Sequence, residues 1–312
     1  MALNKKPVKK IEKIAEPVVL GERNYKFDFV RKSKWGVVFS LTFIVVGLAM
    51  FLIRGFNFGI DFLGGNLMEI KFTKSVSITE LRNVMEEVGY GSAILQNTEE
   101  NQYIIRTVPL TDTQKTAILD NLDSQIGIEQ PLVQDRNVAP GFSQTIIRNT
   151  LIAVAISIAG ILIYVWIRFA VRFALIAILE LIHDLLIILS FYAITFREFN
   201  TTTIAVILTI LGYSLSDAII IFDRILEEIR VNKRDRFIDI SNYSVNKTLV
   251  RSLGTAATTL FPIIILLIIG NETLKDFAFG LFIGIISGSF SSIFVGPQIL
   301  VAWNNRFPKY KK

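Results

Sequence analysis

The 312-residue chain contains no cysteine and only one histidine, His183. Without cysteine there is no disulfide, no thiolate nucleophile and no cysteine-ligated metal site. A lone histidine also argues against a metal centre, and no convincing pair of nucleophile and base stands out, so an enzyme is the least favoured class. No cleavable signal peptide is evident, because a lysine-rich polar tail precedes the first apolar run and no A-x-A site follows it.

Apolar residues make up the larger part of the sequence. They make up 52% of the chain, 24 residues are phenylalanine, and the mean hydropathy is +0.50. These values indicate a multi-pass membrane protein whose main surroundings are a lipid bilayer. The net charge of +6 comes from basic residues that flank the apolar runs, where they set orientation, so nucleic acid is not an expected partner.

Six apolar runs predict six transmembrane helices. They cover residues 35–53, 145–167, 173–196, 203–222, 254–270 and 277–303. The domain organisation is a basic tail over 1–34, the first helix, a domain outside the bilayer over 54–140, helices 2 to 6 within 141–303, and a tail over 304–312. A loop over about 224–251 is expected between the fourth and fifth helices.

Residues 54–140 show both helical and strand periodicity. Strands are predicted at 66–73, 93–97, 103–108 and 128–133, with helices at 78–88 and 112–127. Ser77-x-x-Glu80 and Thr111-x-x-Gln114 are capping boxes that open those two helices. The order β-α-β-β-α-β predicts a small α+β ferredoxin-like domain between helices 1 and 2.

The basic residues favour one orientation. Arginine and lysine are concentrated between helices 2 and 3 and after helix 4, and sparse in the opposite short loops, which hold Arg197 and Lys275. By the positive-inside rule, both termini are therefore expected to be cytoplasmic and the ferredoxin-like domain extracytoplasmic. The tail over 1–34 is expected either near anionic lipid or in solvent.

Asp217 interrupts the fourth apolar run. An acid at the centre of a membrane helix costs about 2.5 to 3.5 kcal/mol on insertion scales, so it is either functional or part of a structural ion pair. Tyr213 and Ser214 lie four and three residues earlier, where they are candidates to orient Asp217 or relay a proton. Arg251, before the fifth helix, is the candidate partner, with membrane anchoring as its alternative role.

Glu180, His183 and Asp184 form a second polar turn inside the third run. Their i, i+3 and i+4 spacing puts them on one helix face. A Glu-x-x-His pair occurs in di-iron bundles, but those need a second such pair and further carboxylates, and the chain has no other histidine. The face is therefore either a proton relay or gate, or a packing site that satisfies itself.

Small residues recur every four positions along the sixth run. Such a stripe allows a neighbouring helix to approach closely, so it is predicted to be a packing face. The residues are Gly280, Gly284, Gly288, Ser292 and Gly296.

Several motifs resemble the SecD/SecF family. At the outer end of the first helix the segment from Phe56 reads FNFGIDFLGG, and its Gly59, Asp61, Gly64 and Gly65 match the family's GG signature. The REFN segment from Arg197, the GYS segment from Gly212 with Asp217, the FDR triplet from Phe222 and the IHD triplet from Ile182 are similar to the SecF branch. Ser216 stands where many relatives carry Asn.

The resemblance covers nearly the whole chain and implies a function. It implies a bacterial inner-membrane subunit of the resistance-nodulation-division superfamily, paired with SecD beside the SecYEG channel, that uses the proton motive force to assist preprotein export. It implies that Asp217 and Arg251 belong to the proton pathway, with protons as the coupling ion and no other cofactor. The alternatives are a related proton-coupled exporter of a small molecule or lipid, and a non-transporting translocon scaffold.

Overall fold

A computed structural model of the chain describes residues 27–270 and 272–310. Six helices in this part are long and apolar enough to cross a membrane, which confirms the predicted fold class. Residues 1–26 of the predicted basic tail lie outside the described part.

The described chain is mostly helical, with short strands between the helices. The helices are α1 (Phe29–Lys32), α2 (Lys34–Arg54), α3 (Ile60–Leu63), α4 (Ile78–Glu87), α5 (Asp112–Gln125), α6 (Pro140–Arg168), α7 (Val171–Thr195), α8 (Thr201–Val231), α9 (Phe237–Ile269), α10 (Glu272–Phe290), a π-helix (Ser291–Val295) and α11 (Gly296–Arg306). The strands are β1 (Asn57–Phe58), β2 (Gly65–Lys71), β3 (Ile94–Glu99), β4 (Gln102–Thr107), β5 (Gln134–Val138) and β6 (Glu198–Phe199).

The region between α2 and α6 folds around a four-stranded antiparallel sheet, and we call it the sheet domain. The strand order is β3-β4-β2-β5, the order of a ferredoxin-like fold. Apolar residues of the sheet and of α4 and α5 form one core, which includes Met68, Leu81, Ile105 and Ile118. The hydroxyl of Thr111 and the side chain of Gln114 complete a reciprocal capping box at the start of α5.

The last strand of the sheet is not where the sequence pattern predicted it. Residues 128–133 make only one isolated bridge, between Ile128 and Phe72, and the strand is Gln134–Val138. Its sequence QDRNV is mostly polar because only alternate residues are partly covered, so it lacks an apolar signal. Ile128 and Leu132 contribute to the core from irregular backbone instead.

The predicted loop over about 224–251 is also largely absent. Helix α8 continues to Val231 and α9 begins at Phe237, so most of these residues extend the two helices. Charged side chains ended the apolar runs without ending the helices, because lysine, arginine and glutamate are good helix formers. Ion pairs from Arg224 to Glu227 and Glu228 stabilise the extension of α8.

Residues 27–33, predicted to be part of a tail, pack against the extension of α9. Arg31 forms an ion pair with Asp239 at 2.8 Å, and the side-chain amides of Asn242 and Asn246 donate to the carbonyl of Phe27. The side chain of Val30 is buried in the bundle core. The chain is therefore already anchored to the bundle before α2 begins.

Helices α7, α8 and α10 to α11 form the centre of the bundle. The share of buried residues in their most apolar windows is 56%, 50% and 67%, against 11%, 6% and 17% for α2, α6 and α9. The three outer helices therefore present apolar faces to their surroundings, whereas the intramembrane acids lie on two of the three central helices, α7 and α8.

Candidate functional site

Asp217 is held by hydroxyl groups from two other helices. The Ser252 hydroxyl, on α9, donates to Oδ1 at 2.5 Å, and the Ser292 hydroxyl, on the π-helix, donates to Oδ2 at 2.9 Å. The side chain is buried, and no cationic group in the described part of the chain forms an ion pair with it. The acid is therefore hydrogen-bonded as a buried polar group requires, without a compensating positive charge.

The predicted pairing of Asp217 with Arg251 is not formed. Ser252, the next residue, takes the position facing Asp217, while Arg251 is exposed and lines a cavity. Successive residues on an α-helix are about 100° apart, so only one of the two can face α8. The predicted partner is therefore only one residue away from the observed one, but it lies on a different face of α9.

The cavity beside Arg251 opens at the end of the bundle away from the sheet domain. It has a volume of about 620 Å³ and lies between α6, α8 and α9. Ser216, adjacent in sequence to Asp217, and Thr248, one turn before Ser252, both line it. The other lining residues are Tyr164, Ile219, Ile220, Asp223, Arg224, Glu227, Lys247 and Arg251. A cavity with polar and charged walls thus extends to Ser216 and Thr248, which neighbour Asp217 and its partner Ser252.

Asp184, on α7, has an even fuller set of donors and is completely buried. The hydroxyls of Ser287 and Ser291 donate to it at 2.8 Å each, and the Ser214 hydroxyl donates to Oδ2 as well. Its Oδ1 also lies 3.2 Å from His183 Nδ1. All of these donors except His183 come from other helices, so Asp184 joins α7 to α8, to α10 and to the π-helix.

Ser214 and Tyr213 do not orient Asp217 as predicted. Ser214 faces α7 and donates to Asp184, because three residues along a helix still leave about 60° between the two directions. The Tyr213 hydroxyl is buried and has the side chain of Ser289 as its hydrogen-bonding neighbour. Both residue types were rightly noticed, but Ser214 bonds to the other aspartate and Tyr213 lies beside a serine.

The π-helix connects the two aspartates. Its first two residues are consecutive serines, and Ser291 donates to Asp184 while Ser292 donates to Asp217. One wide turn therefore bonds to α7 and α8 together. π-helices are rare, occur mostly as single turns inside α-helices and are frequently found at functional sites. The sequence indicated Ser292 only as part of a packing stripe and did not indicate Ser252, Ser287 or Ser291.

Glu180 and His183 complete the cluster on α7. Both carboxylate oxygens of Glu180 are buried and have no side-chain hydrogen-bond partner in the described part of the chain. They lie against Gly296, where a side chain would collide with the carboxylate. The Nε2 of His183 is also buried and without such a partner, and His183 lines an apolar cavity of about 190 Å³ beside Phe43 and Phe290.

The small-residue stripe lies along α8. A side chain at Gly280 would meet Val206, one at Gly284 would meet Ile210, and one at Gly288 would meet Ser214. These partners are four residues apart, as in a ridge packed into a groove. The next position, Ser292, forms the hydrogen bond to Asp217 instead, and the last, Gly296, lies against Glu180 of α7. The sixth membrane helix thus both packs closely against α8 and bonds to the Asp217 that α8 carries.

A second group of buried charges lies where the sheet domain meets the bundle. Asp61 accepts a hydrogen bond from Arg136 at 2.8 Å, from the backbone N–H of Thr201 at 3.1 Å and from the hydroxyl of Thr201 at 2.5 Å. Thr201 is the first residue of α8, so this carboxylate caps the helix that holds Asp217.

Glycines of the GG signature make this contact sterically feasible. Gly64 has φ +72° at the end of α3, and a side chain at Gly65, with φ +129°, would collide with the carbonyl of Thr107. A side chain at Gly59 would collide with the carboxylate of Glu198. The motif therefore folds tightly enough to bring Asp61 to α8.

Glu198 forms a buried ion pair with Arg106 of β4. The Nη2 to Oε2 distance is 2.5 Å and the side chains are 5% and 7% exposed. Burial raises the pKa of the Glu198 carboxyl above its ordinary value of 4.5, and the Arg106 guanidinium opposes that rise. Neither residue was singled out from the sequence as a candidate.

Comparison with known proteins identifies close relatives of the whole arrangement. The family described as protein export membrane protein SecD/SecF, C-terminal, matches residues 118–306, and the SecD/SecF GG motif matches residues 49–76. The chain is 32% identical to the protein translocase subunit SecF of Desulfurispirillum indicum over 302 residues, which cover 93% of this chain and 96% of the relative. It is 36% identical to the corresponding subunit of Calditerrivibrio nitroreducens over 290 residues, or 90% and 95%.

A crystal structure of SecDF, a translocon-associated membrane protein from Thermus thermophilus, has the same fold. It superimposes with a TM-score of 0.83 at 32% identity, covering 90% of this chain and 39% of that one. A crystal structure of SecDF in a super-membrane-facing form gives a TM-score of 0.67 at the same identity.

Proposed function

The chain belongs to the SecD/SecF family of protein-export membrane proteins, and we propose that protons moving through its buried acids drive its part in protein translocation. It is a multi-pass membrane subunit of the Sec protein-translocation machinery. The observation that carries the proposal is Asp217, an acid in the centre of the bundle that is held by neutral hydroxyls and not by a cation.

Protonation of Asp217 changes its hydrogen bonds. An ionised carboxylate only accepts, so both Ser252 and Ser292 donate to it and tie α8 to α9 and to the π-helix. A protonated carboxyl also carries a donor, so one of its partners must turn to accept. A serine hydroxyl can make that change without leaving a charge unpaired, and the link between the helices is altered each time a proton binds or leaves.

Asp184 extends this switch to α7. Because Ser291 and Ser292 are adjacent, a change at Asp217 reaches the turn that also bonds to Asp184. Glu180, His183, Tyr213 and Ser214 are the further candidates to relay a proton or orient these acids. The oxygens of Glu180 are buried without a side-chain donor or a cation in the described part of the chain, so binding a proton avoids an isolated charge there.

Arg251 acts at the exit of this route in our proposal. Protons that cross from the outside leave Asp217 through the cavity that Arg251 and Ser216 line, at the cytoplasmic end of the bundle. A proton crossing 100 mV releases about 2.3 kcal/mol, enough to bias an equilibrium between two helix arrangements. Protons are then the coupling ion, and no other cofactor is required.

The partners follow from the family and from the exposed helices. The Thermus relative named SecDF contains a region similar to this chain within a longer chain, which supports association with a SecD-type subunit. The apolar faces of α2, α6 and α9 suit lipid or such a subunit. We further propose that the complex lies beside SecYEG in the bacterial inner membrane, with both termini in the cytoplasm, and acts on preproteins through the extracytoplasmic sheet domain.

Replacement of Asp217 tests the proposal. Asp217→Asn keeps the shape of the side chain but cannot exchange a proton, and we expect proton-motive-force-dependent export in membrane vesicles with SecD to fall about tenfold or more. Asp120→Asn, at an exposed position on α5, is the matched control and should retain wild-type export. Full proton-dependent export by Asp217→Asn would falsify the mechanism and favour a scaffold role.

A further inference from the structure

The sheet domain is joined to the bundle by buried charges concentrated on one short segment. Arg106, in the third strand of the domain, forms its ion pair with Glu198 and also donates to Asn57 at 3.1 Å. Glu198 belongs to the few residues between α7 and α8, the helices that carry Asp184 and Asp217. We call Arg106, Glu198, Asp61 and Thr201 the junction.

Backbone contacts hold the same segment. Strand β6 pairs in parallel with β1, and the N–H of Gly59 donates to the carbonyl of Phe199 at 2.9 Å. Phe199 in turn packs against Phe56, Phe58 and Phe62, which lie just before β1, in it and shortly after it. The sheet domain therefore grips the start of α8 by its backbone, by aromatic packing and by charge.

Asp61 adds hydrogen bonds between the edge of the sheet and the start of α8. It accepts from Arg136, on the edge strand β5, and from Thr201, the first residue of α8. One carboxylate thus contacts the far side of the sheet and the start of the helix. A rotation of α8 about its axis, or a shift along it, has to move Asp61 or break these bonds.

We propose that Arg106, Glu198 and Asp61 are positioning residues that transmit movement of α8 to the sheet domain. A buried guanidinium and carboxylate have few alternative partners. The sheet domain is therefore expected to move together with α8 and not to rotate independently about its connections to α2 and α6. The use of this movement in export rests on the proposed function. The mechanical link itself is a property of this chain.

The absence of cysteine from the sequence makes the link directly measurable. Spin labels at Ala117→Cys on α5 and Ile269→Cys at the end of α9 report the distance between the sheet domain and the bundle in the full chain with SecD in lipid nanodiscs. Both positions are exposed. A second pair at Thr79→Cys and Ala117→Cys, both within the domain, reports whether the domain remains folded.

We expect the unsubstituted junction to give a narrow distance distribution. Glu198→Gln should widen it about twofold or more, because Arg106 loses its charged partner and the domain gains freedom to pivot. The reversed pair, Arg106→Glu with Glu198→Arg, should restore a narrower distribution. Lys71→Gln, which breaks an exposed ion pair with Glu129 inside the domain, is the control and should change nothing.

Transmission is tested by combining variants. Asp217→Asn should shift the domain-to-bundle distance, and Glu198→Gln should abolish that shift while the distance within the domain stays the same. A narrow distribution and an unchanged Asp217→Asn shift in Glu198→Gln would overturn the inference. Neither outcome depends on export, so loss of the proton mechanism and loss of the junction's role are distinguishable.

Discussion

Two groups of buried carboxylates in this molecule are stabilised in different ways. At the junction, Asp61 and Glu198 bind the guanidinium groups of Arg136 and Arg106. In the centre of the bundle, Asp184 and Asp217 bind serine hydroxyls from neighbouring helices. All four of these carboxylates are buried, with exposed fractions of 4% for Asp61, 7% for Glu198, 0% for Asp184 and 5% for Asp217. What differs is whether the partner is charged.

The difference separates a fixed contact from a switchable one. Arginine keeps its charge at any physiological pH and only donates, so it favours an ionised partner in one place. A serine hydroxyl donates or accepts, and so remains bonded to a carboxyl in either protonation state. The bundle acids are thus suited to a proton cycle, and the junction is suited to hold a domain while that cycle runs.

Removing the cation from the junction should have the largest effect. Arg106→Met leaves Glu198 buried without its ion-pair partner, and we expect the free energy of unfolding to fall by about 3 to 5 kcal/mol. The double variant Arg106→Met with Glu198→Met should recover most of it, since no charge remains to be buried. Denaturant unfolding in detergent, followed by circular dichroism, measures both. Equal losses in the single and double variants would mean that packing, and not charge, makes this contact.

Removing one hydroxyl from the bundle should have a smaller effect. Ser292→Ala takes one of the two donors from Asp217, and we expect a loss of about 1 to 3 kcal/mol in the free energy of unfolding. Thr209→Ala is the control on α8, because its exposed hydroxyl donates to the carbonyl of Ala205 within the same helix and lies away from the buried acids. The control should stay within about 0.5 kcal/mol of the wild type. If both variants behave alike, the hydroxyl at Ser292 does not support Asp217.

Much of the fold was predictable because its signals are strong. A run of some 20 apolar residues has few alternatives to a membrane helix, and all six runs became helices. The ferredoxin-like order was carried by alternating apolar residues and by capping boxes such as that at Thr111. The last strand and the helical extensions were missed, because Gln134–Val138 is polar and because charge ends a membrane span without ending a helix.

The site was only partly predictable, since its acids are conspicuous and their partners are not. Asp184, Asp217 and Glu180 are rare residue types within apolar runs and were all singled out. Ser252, Ser287 and Ser291 are ordinary small residues in membrane helices. The local sequence does not indicate the π turn that directs Ser291 to Asp184 and Ser292 to Asp217. The four-residue spacing from Ser287 to Ser291, beside the glycine stripe, was the available signal. Arg106 and Glu198 are 92 positions apart, so only the fold brings them together.

The smallest expected effect concerns the pH dependence of the junction. Burial raises the pKa of Glu198 above 4.5 in the folded chain despite Arg106, so the folded state keeps this proton to a higher pH than the unfolded chain does. The associated stabilisation is complete below about pH 4.5 and is lost as pH rises through the folded-state pKa. Glu198→Gln cannot titrate, so its stability lacks this pH dependence. As pH rises through the folded-state pKa of Glu198, the wild type should therefore lose stability relative to the variant. Unfolding midpoints of both proteins between about pH 4 and about pH 8 measure the difference. If the stability difference between the two proteins does not change with pH, Arg106 cancels the effect of burial on the pKa of Glu198. The ion pair would then stay charged throughout this pH range.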